Sequence, residues 1–242
     1  MLGTGEVHLW WLDLAAPAAP MEELERRLDD DERARAARFH FDVHRRRYVA
    51  AHGQMRVLLG AYLGLPPGAI AFELEERGKP RLASEHTSGT PAPGLTFNLS
   101  HSEEQGLLAI ARGTTVGADI EVQHPLRDLD SLARSHFTAT ELRDLHRLPK
   151  ERRHDGFFAA WTRKEAYVKA LGAGLSVPLD SFEVALHPDQ PAALRSINGS
   201  VDSARSWTLW AARPTPSSWA ALAARTSDAR VRTFSLRHFE MP

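Results

Sequence analysis

An α+β fold in two halves is the architecture this sequence predicts, and three observations carry it. Two long stretches, 44–63 and 151–171, have helical periodicity. Short β-prone runs cluster after each of them and do not alternate with helices one by one, which points away from a parallel α/β sheet. The chain has 242 residues, room for two units of roughly 120 residues. No strict repeat is visible, but each half places helices early and strands late, with a joint near residues 113–116. The halves are taken as 1–114 and 115–242.

Residues 7–14, VHLWWLDL, read as a strand. Residues 21–39 hold two short helical patterns, with Asp29, Asp30 and Asp31 placed to cap the second. In the 44–63 helix Tyr48, Met55, Leu59 and Tyr62 fall near one face, and LGLPPG stops it. A strand is expected over 69–76, followed by a turn at GKP. The segment 84–94, SEHTSGTPAPG, has loop composition. LTFNLS (95–100), GLLAIAR (106–112) and VGADIEV (116–122) are three β-like runs. In the second half, Thr138 and Glu141 have the spacing of a capping box. The 151–171 helix carries Phe157, Trp161, Val168 and Leu171 near one face and ends at Gly172 and Gly174. Strands are expected at 181–187, 207–214 and 231–239.

Apolar residues make up 43% and charged residues 25% of the chain, an ordinary globular profile. A formal net charge of −1 argues against a nucleic-acid or anionic-membrane partner. The absence of cysteine excludes disulfides, thiolate metal sites and a Cys nucleophile, and suits a reducing compartment. No apolar run reaches the roughly 18 residues of a membrane span, and the first residues lack a basic signal-peptide start. A cytoplasmic location is expected. Of the 30 basic residues only four are lysine: Lys79, Lys150, Lys164 and Lys169. Where arginine is the default, a lysine can mark a place that wants a compact ammonium.

Three of those lysines fall in segments with candidate chemistry. In VGADIEV, Asp119 and Glu121 are two apart on a strand and share a face. Hard oxygen ligands suit Mg²⁺; a solvated edge strand would show the same pattern. In WTRKEAYVKALGAGL, Trp161, Glu165 and Lys169 share a helix face. An ordinary Glu–Lys pair accounts for that spacing, but an acid flanked by Lys164 and Lys169 also suits a metal–phosphate group. FNLSHS places His101 between Ser100 and Ser102. Adjacent residues on an extended segment face opposite ways, so a Ser100–His101 nucleophile–base pair is disfavoured and phosphate binding is the better functional reading. GKP fixes Lys79 between Gly78 and Pro80, and HRRRY (44–48) is a basic cluster at a helix start.

GKP, FNLSHS, VGADIE and WTRKEAYVKALGAGL, in this order and spacing, resemble the Sfp-type 4′-phosphopantetheinyl transferases. The resemblance covers most of the chain from about Arg33 to the strand after PLDSF. It implies a pseudo-dimer of two similar α+β halves with the active site in the cleft between them. It implies transfer of 4′-phosphopantetheine from coenzyme A, as substrate, to a serine of an apo acyl or peptidyl carrier protein, the holo-[acyl-carrier-protein] synthase reaction. The other product is adenosine 3′,5′-bisphosphate. It further implies that Asp119, Glu121 and Glu165 bind Mg²⁺, with Glu165 also the base for the carrier serine. Lys164 and Lys169 match residues that hold the pyrophosphate. Ser100 and His101 match a pair at the coenzyme A phosphates. Gly78, Lys79 and Pro80 match a nucleotide-binding segment, and Arg47 a contact to the nucleotide end. Glu32, Arg33 and Arg35 stand where some relatives carry lysines for the 3′-phosphate, and the 84–94 loop is longer than usual. The family usually serves peptide and polyketide synthases of secondary metabolism, and a chain holding both halves is expected to act as a monomer. Two other readings use the same residues: a Mg²⁺-dependent phosphohydrolase, and a non-catalytic protein that binds coenzyme A or a carrier domain.

Overall fold

In a computed structural model of the protein, the structure describes residues 2–87 and 94–236. The first half runs β1 (Glu6–Asp13), α1 (Met21–Arg26), α2 (Asp30–Ala37), α3 (Asp42–Leu63), β2 (Phe72–Leu74), β3 (Pro80–Leu82), α4 (Ser84–Thr87), β4 (Leu95–Ser102) and β5 (Gln105–Arg112). The second runs β6 (Val116–Val122), α5 (Leu129–His136), α6 (Ala139–Arg147), α7 (Lys150–Leu171), β7 (Phe182–Val184), β8 (Leu194–Ile197), α8 (Val201–Ala204), β9 (Thr208–Thr215) and β10 (Ser218–Ala224). The final strand is β11 (Arg230–Ser235).

The two halves repeat one plan. Each has a first strand, short helices, a helix of 22 residues, a small hairpin and then a strand pair. The last strand of each half pairs antiparallel with both the first and the one before it, giving β1-β5-β4 and β6-β10-β9. Both long helices stop at a glycine in the left-handed region, Gly64 (φ 67) and Gly172 (φ 67). The fold is therefore α+β with two similar halves, as the sequence predicts. One element crosses between them: β11 pairs parallel with β1 and completes the first sheet as β11-β1-β5-β4.

The layers follow from which faces are apolar. Met55, Leu58 and Leu59 of α3 cover one face of the first sheet, packing on Trp10, Leu108 and Ile110. Phe157, Val168 and Ala170 of α7 cover one face of the second, on Trp219, Ala221 and Ala223. The two remaining sheet faces pack on each other, Val7, Leu9, Leu107 and Ala109 against Val116, Ala118, Ile120 and Leu222. The order is helix, sheet, sheet, helix.

Several expectations are refined. Asp29, and not Asp30 or Asp31, caps α2, in a full capping box with Glu32. Within 84–94, Ser84–Thr87 is a helical turn, and residues 88–93 lie outside the described residues, as does the end of the strand expected to reach 239. Strand β10, SWAALAA, was not foreseen, although every residue of it is buried.

Gly117 sets how closely β6 approaches α7. A Cβ there would lie 2.2 Å from both Ala166 O and Ala170 N, which are backbone atoms of the helix and cannot step aside. Gly117→Ala is expected to destabilise the fold by about 3 kcal/mol, the upper end for overpacking. Urea denaturation measures it, and a loss below about 1 kcal/mol would show that the strand and helix have slack.

Candidate active site

The close approach at Gly117 brings the next residues of that strand face, Asp119 and Glu121, beside the helix that carries Glu165 and Lys169. Lys169 Nζ donates to Asp119 Oδ1 at 2.5 Å and to Ser100 Oγ at 3.0 Å. Ser100 Oγ in turn donates to Asp119 Oδ1 at 3.1 Å and accepts from Ile120 N–H. Asp119 is 2% exposed, and its other oxygen, Oδ2, is buried without a hydrogen-bond partner. Glu121 accepts from Ser102 Oγ at 2.9 Å.

Charge is out of balance here. Burial and then Asp119 push the Glu165 carboxyl above its ordinary range. The same causes, in the same order, raise Glu121, with Ser102 opposing. Burial works against the Lys169 ammonium, but Asp119, Glu165 and Glu121 outweigh it and hold the proton more tightly. Three carboxylates thus act on one ammonium, which is paired with Asp119. Among the described residues no group of three His, Cys, Asp or Glu side chains is gathered tightly enough to hold a metal ion as it stands. Of the acids expected to share Mg²⁺, Asp119 is paired with the Lys169 ammonium instead, and Glu165 and Glu121 act on that ammonium through their charge. The orphaned Asp119 Oδ2, two further oxygen donors and the excess of negative charge nevertheless suit a hard divalent cation.

Of these groups Glu165 and Lys169 line a cleft of about 620 Å³ whose walls come from both halves, and Lys169 links it to the buried Asp119 and Ser100. Gly78, Lys79, Pro80 and Asn98 line it from the first half; Trp161, Glu165 and Lys169 line it from the second. Trp161 stacks on Phe157 and meets the edge of His136, so the far wall is aromatic.

Residues 115–224 match the model of the 4′-phosphopantetheinyl transferase superfamily, and residues 18–112 match that of the 4′-phosphopantetheinyl transferase N-terminal region. The 4′-phosphopantetheinyl transferase HetI of Nostoc sp. is 44% identical over 191 residues, covering 79% of this chain and 78% of that protein. The 4′-phosphopantetheinyl transferase psf-1 of Bacillus pumilus is 36% identical over 189 residues, covering 78% and 77%. The 4′-phosphopantetheinyl transferase Sfp of Bacillus subtilis is 32% identical over 162 residues, covering 67% and 68%. The chain belongs to the 4′-phosphopantetheinyl transferase superfamily.

Not every residue expected at the site of this transferase chain reaches it. Lys164 does not. It is fully buried, and its ammonium donates to Glu141 Oε2 at 2.8 Å, Leu179 O at 2.7 Å and Phe182 O at 2.8 Å. Its three protons are spent, so it cannot hold a pyrophosphate; it fastens the PLDSF segment to α7. Lys79 lines the cleft, but its ammonium donates to Val116 O at 3.0 Å and Ala170 O at 3.1 Å, tying the GKP turn to the start of β6 and the end of α7. Gly78 has φ +83, the conformation the turn requires.

Ser100 and His101 face opposite ways, as successive strand residues do. Ser100 points to Asp119, while the exposed His101 lies within electrostatic reach of His52, Lys169, Arg47 and Arg35. Arg47 pairs with Glu103 at 2.5 Å and Glu104 at 2.7 Å in the β4–β5 turn. Glu32 is buried between Arg56 and His52 and anchors α2 to α3.

Asn98 and Ser102, the latter named only as a flank of His101, and His136 carry no role assigned from the sequence. A signal for the first two was present: in FNLSHS the polar residues 98, 100 and 102 alternate with Phe97, Leu99 and His101, so one strand face is polar throughout.

Lys164→Ala is expected to destabilise the protein by about 3–5 kcal/mol, since it leaves Glu141 buried without its partner. A thermal melt compared with wild type tests this. An unchanged melting temperature together with weaker coenzyme A binding would return Lys164 to the phosphate site.

Proposed function

We propose that this protein transfers the 4′-phosphopantetheine group of coenzyme A to a serine of an apo acyl or peptidyl carrier protein in a Mg²⁺-dependent reaction. Adenosine 3′,5′-bisphosphate is released. The observation that carries the reading is the set of Asp119, Lys169 and Ser100 in mutual hydrogen bonding, with Asp119 Oδ2 unsatisfied, reached through Lys169 from a cleft walled by both halves. Family membership supports the same chemistry.

In the transfer the carrier serine Oγ forms a bond to the pantetheine-side phosphorus, and the bond from that phosphorus to the bridging oxygen breaks. The serine proton passes to Glu165, directly or through water. A carboxyl raised by burial and by Asp119 is a better proton acceptor than an ordinary glutamate once ionised. Lys169 is placed to meet the charge that develops on the leaving bisphosphate, and its pairing with Asp119, with the charges of Glu165 and Glu121, holds its proton more tightly. Asp119, Glu121 and Glu165 would hold Mg²⁺, which when bound neutralises the pyrophosphate. Positioning and charge neutralisation supply most of the rate in such reactions.

Both walls of the cleft come from one chain, which supports a monomer built of halves 1–114 and 115–242, with β11 returned to the first sheet. The protein is read as a cytoplasmic enzyme serving peptide or polyketide synthases of secondary metabolism. No helix among the described residues is long and apolar enough to cross a membrane.

The test is incubation with an apo carrier, coenzyme A and Mg²⁺, reading the carrier mass. A gain of one phosphopantetheine is expected. Asp119→Ala and Glu165→Ala should each lower turnover by orders of magnitude while the fold is kept. Lys169→Gln should lower it by roughly 10²-fold, as when an electrostatic donor is removed from a transition state. Lys169→Arg should restore part of it, because a planar fork replaces a compact ammonium. Hydrolysis of coenzyme A with no gain on any carrier of a panel would sink the transferase reading.

A further inference from the structure

Four side chains of β4 lie on one face and meet β6 or the turn before it. Thr96 Oγ1 donates to Thr114 O at 2.6 Å, and Asn98 Oδ1 accepts from Ala118 N–H at 2.8 Å. Ser100 Oγ accepts from Ile120 N–H at 3.4 Å, and Ser102 Oγ accepts from Val122 N–H at 3.1 Å. The two serines do something the other two do not. Each also donates its hydroxyl proton to the carboxylate one residue earlier on β6, Ser100 to Asp119 and Ser102 to Glu121. Opposite Asn98 the corresponding residue is Gly117, which has no side chain to hold.

Asp119 has a second partner in Lys169. Among the described residues, Ser102 is the one hydrogen-bond donor to Glu121. A half-buried glutamate has three rotatable bonds and is repelled by the neighbouring Asp119. Without a donor it would swing toward solvent. We propose that Ser102 is a positioning residue, its hydroxyl bridging Val122 N–H and the Glu121 carboxylate so that Glu121 is held beside Asp119, the partner of the cleft-lining Lys169. The inference rests on the transferase reading for its kinetic consequence and on geometry alone for its structural one.

Ser102→Ala, Ser102→Thr and Thr96→Val separate positioning from simple support of the seam. Thr96→Val removes a bond of the same ladder in which no carboxylate takes part. In the carrier-modification assay Ser102→Ala is expected to lower kcat by about tenfold, the loss of one hydrogen bond to a charged group. Its KM for coenzyme A should stay within about twofold of wild type. Ser102→Thr keeps the hydroxyl and should recover most of kcat. Thr96→Val should lower the melting temperature as much as Ser102→Ala does, yet keep wild-type kcat. A crystal structure of Ser102→Ala should show the Glu121 carboxylate displaced from its wild-type place. Wild-type kcat in Ser102→Ala, or equal losses of kcat in Ser102→Ala and Thr96→Val, would overturn the proposal. So would a Glu121 that stays in place in the crystal. If wild-type protein modifies no carrier, the transferase reading falls, and the crystallographic comparison still decides the role of Ser102.

Discussion

Among the described residues strand β6 has a strand neighbour on one side only, and its other edge is a row of buried N–H groups that must find acceptors. A second strand would normally supply them. Here they are met by side chains: Asn98, Ser100 and Ser102 accept from Ala118, Ile120 and Val122. This substitution of side chains for a backbone ladder lets the two sheets pack face to face across Val7, Leu107 and Ile120 and still satisfy the open edge. It also fixes where the two halves meet. Because the acceptors are on β4 and the carboxylates are on β6, the seam and the candidate site are made by the same short stretch of chain.

The helix side of β6 obeys a second constraint, that of space. Gly117 admits the α7 backbone, and Ala221 and Ala223 of the next strand keep the helix close to the sheet. Asp119 then falls opposite Lys169, with Glu165 one turn earlier. Had β6 stood farther from α7, the Asp119 carboxylate would have lost its ammonium and kept only the Ser100 hydroxyl. The balance of three acids to one ammonium is the chemical residue of this packing. Burial, and then Asp119, raise the Glu121 and Glu165 carboxyls, and Asp119 Oδ2 is left without a partner among the described residues.

Much of this was legible in the sequence where patterns are local. Strand and helix periods located both long helices, the capping box at Thr138 and the runs that became β4, β5 and β6. The carboxylates of VGADIE and the Glu165–Lys169 turn come together, as their shared faces require. What the sequence hid was nonlocal. SWAALAA lacks β-branched residues, and its alanines are chosen by packing between α7 and the first half, so neither propensity nor alternation marks it as a central strand. Lysine scarcity did mark special positions, but the reason differs from site to site. Lys79 and Lys164 each aim a compact ammonium at backbone carbonyls, a task that the wider arginine fork fits poorly. Of the three lysines in motifs, Lys169 is the one whose ammonium meets the carboxylates of the cleft. Spacing along the chain could not separate these roles, since Lys164 and Lys169 lie on the same helix and differ only in which side of it they occupy.

The repeated plan of the halves makes their differences informative. The two 22-residue helices stop in the same way, but they bury different chemistry. On α3, Arg56 is enclosed by Asp29, Glu32 and the carbonyls of Pro67 and Ile70, so its charge holds the first half together. On α7, Glu165 and Lys169 turn toward the seam. The strands opposite have diverged in a matching way: the inner face of β4 is polar and caps the edge of β6, whereas its counterpart β9 is an edge strand carrying Pro214. One half therefore supplies the frame and the other most of the charged groups, which works only while they stay joined. The link at residues 113–115 joins them once. The parallel pairing of β11 with β1 joins them again, from the far end of the second half, and adds a second backbone tie between them. The polar ladder on β4 is thereby kept in register with the carboxylates of β6, so the last strand of the chain, far from the cleft in sequence, belongs to the same mechanical unit as the site.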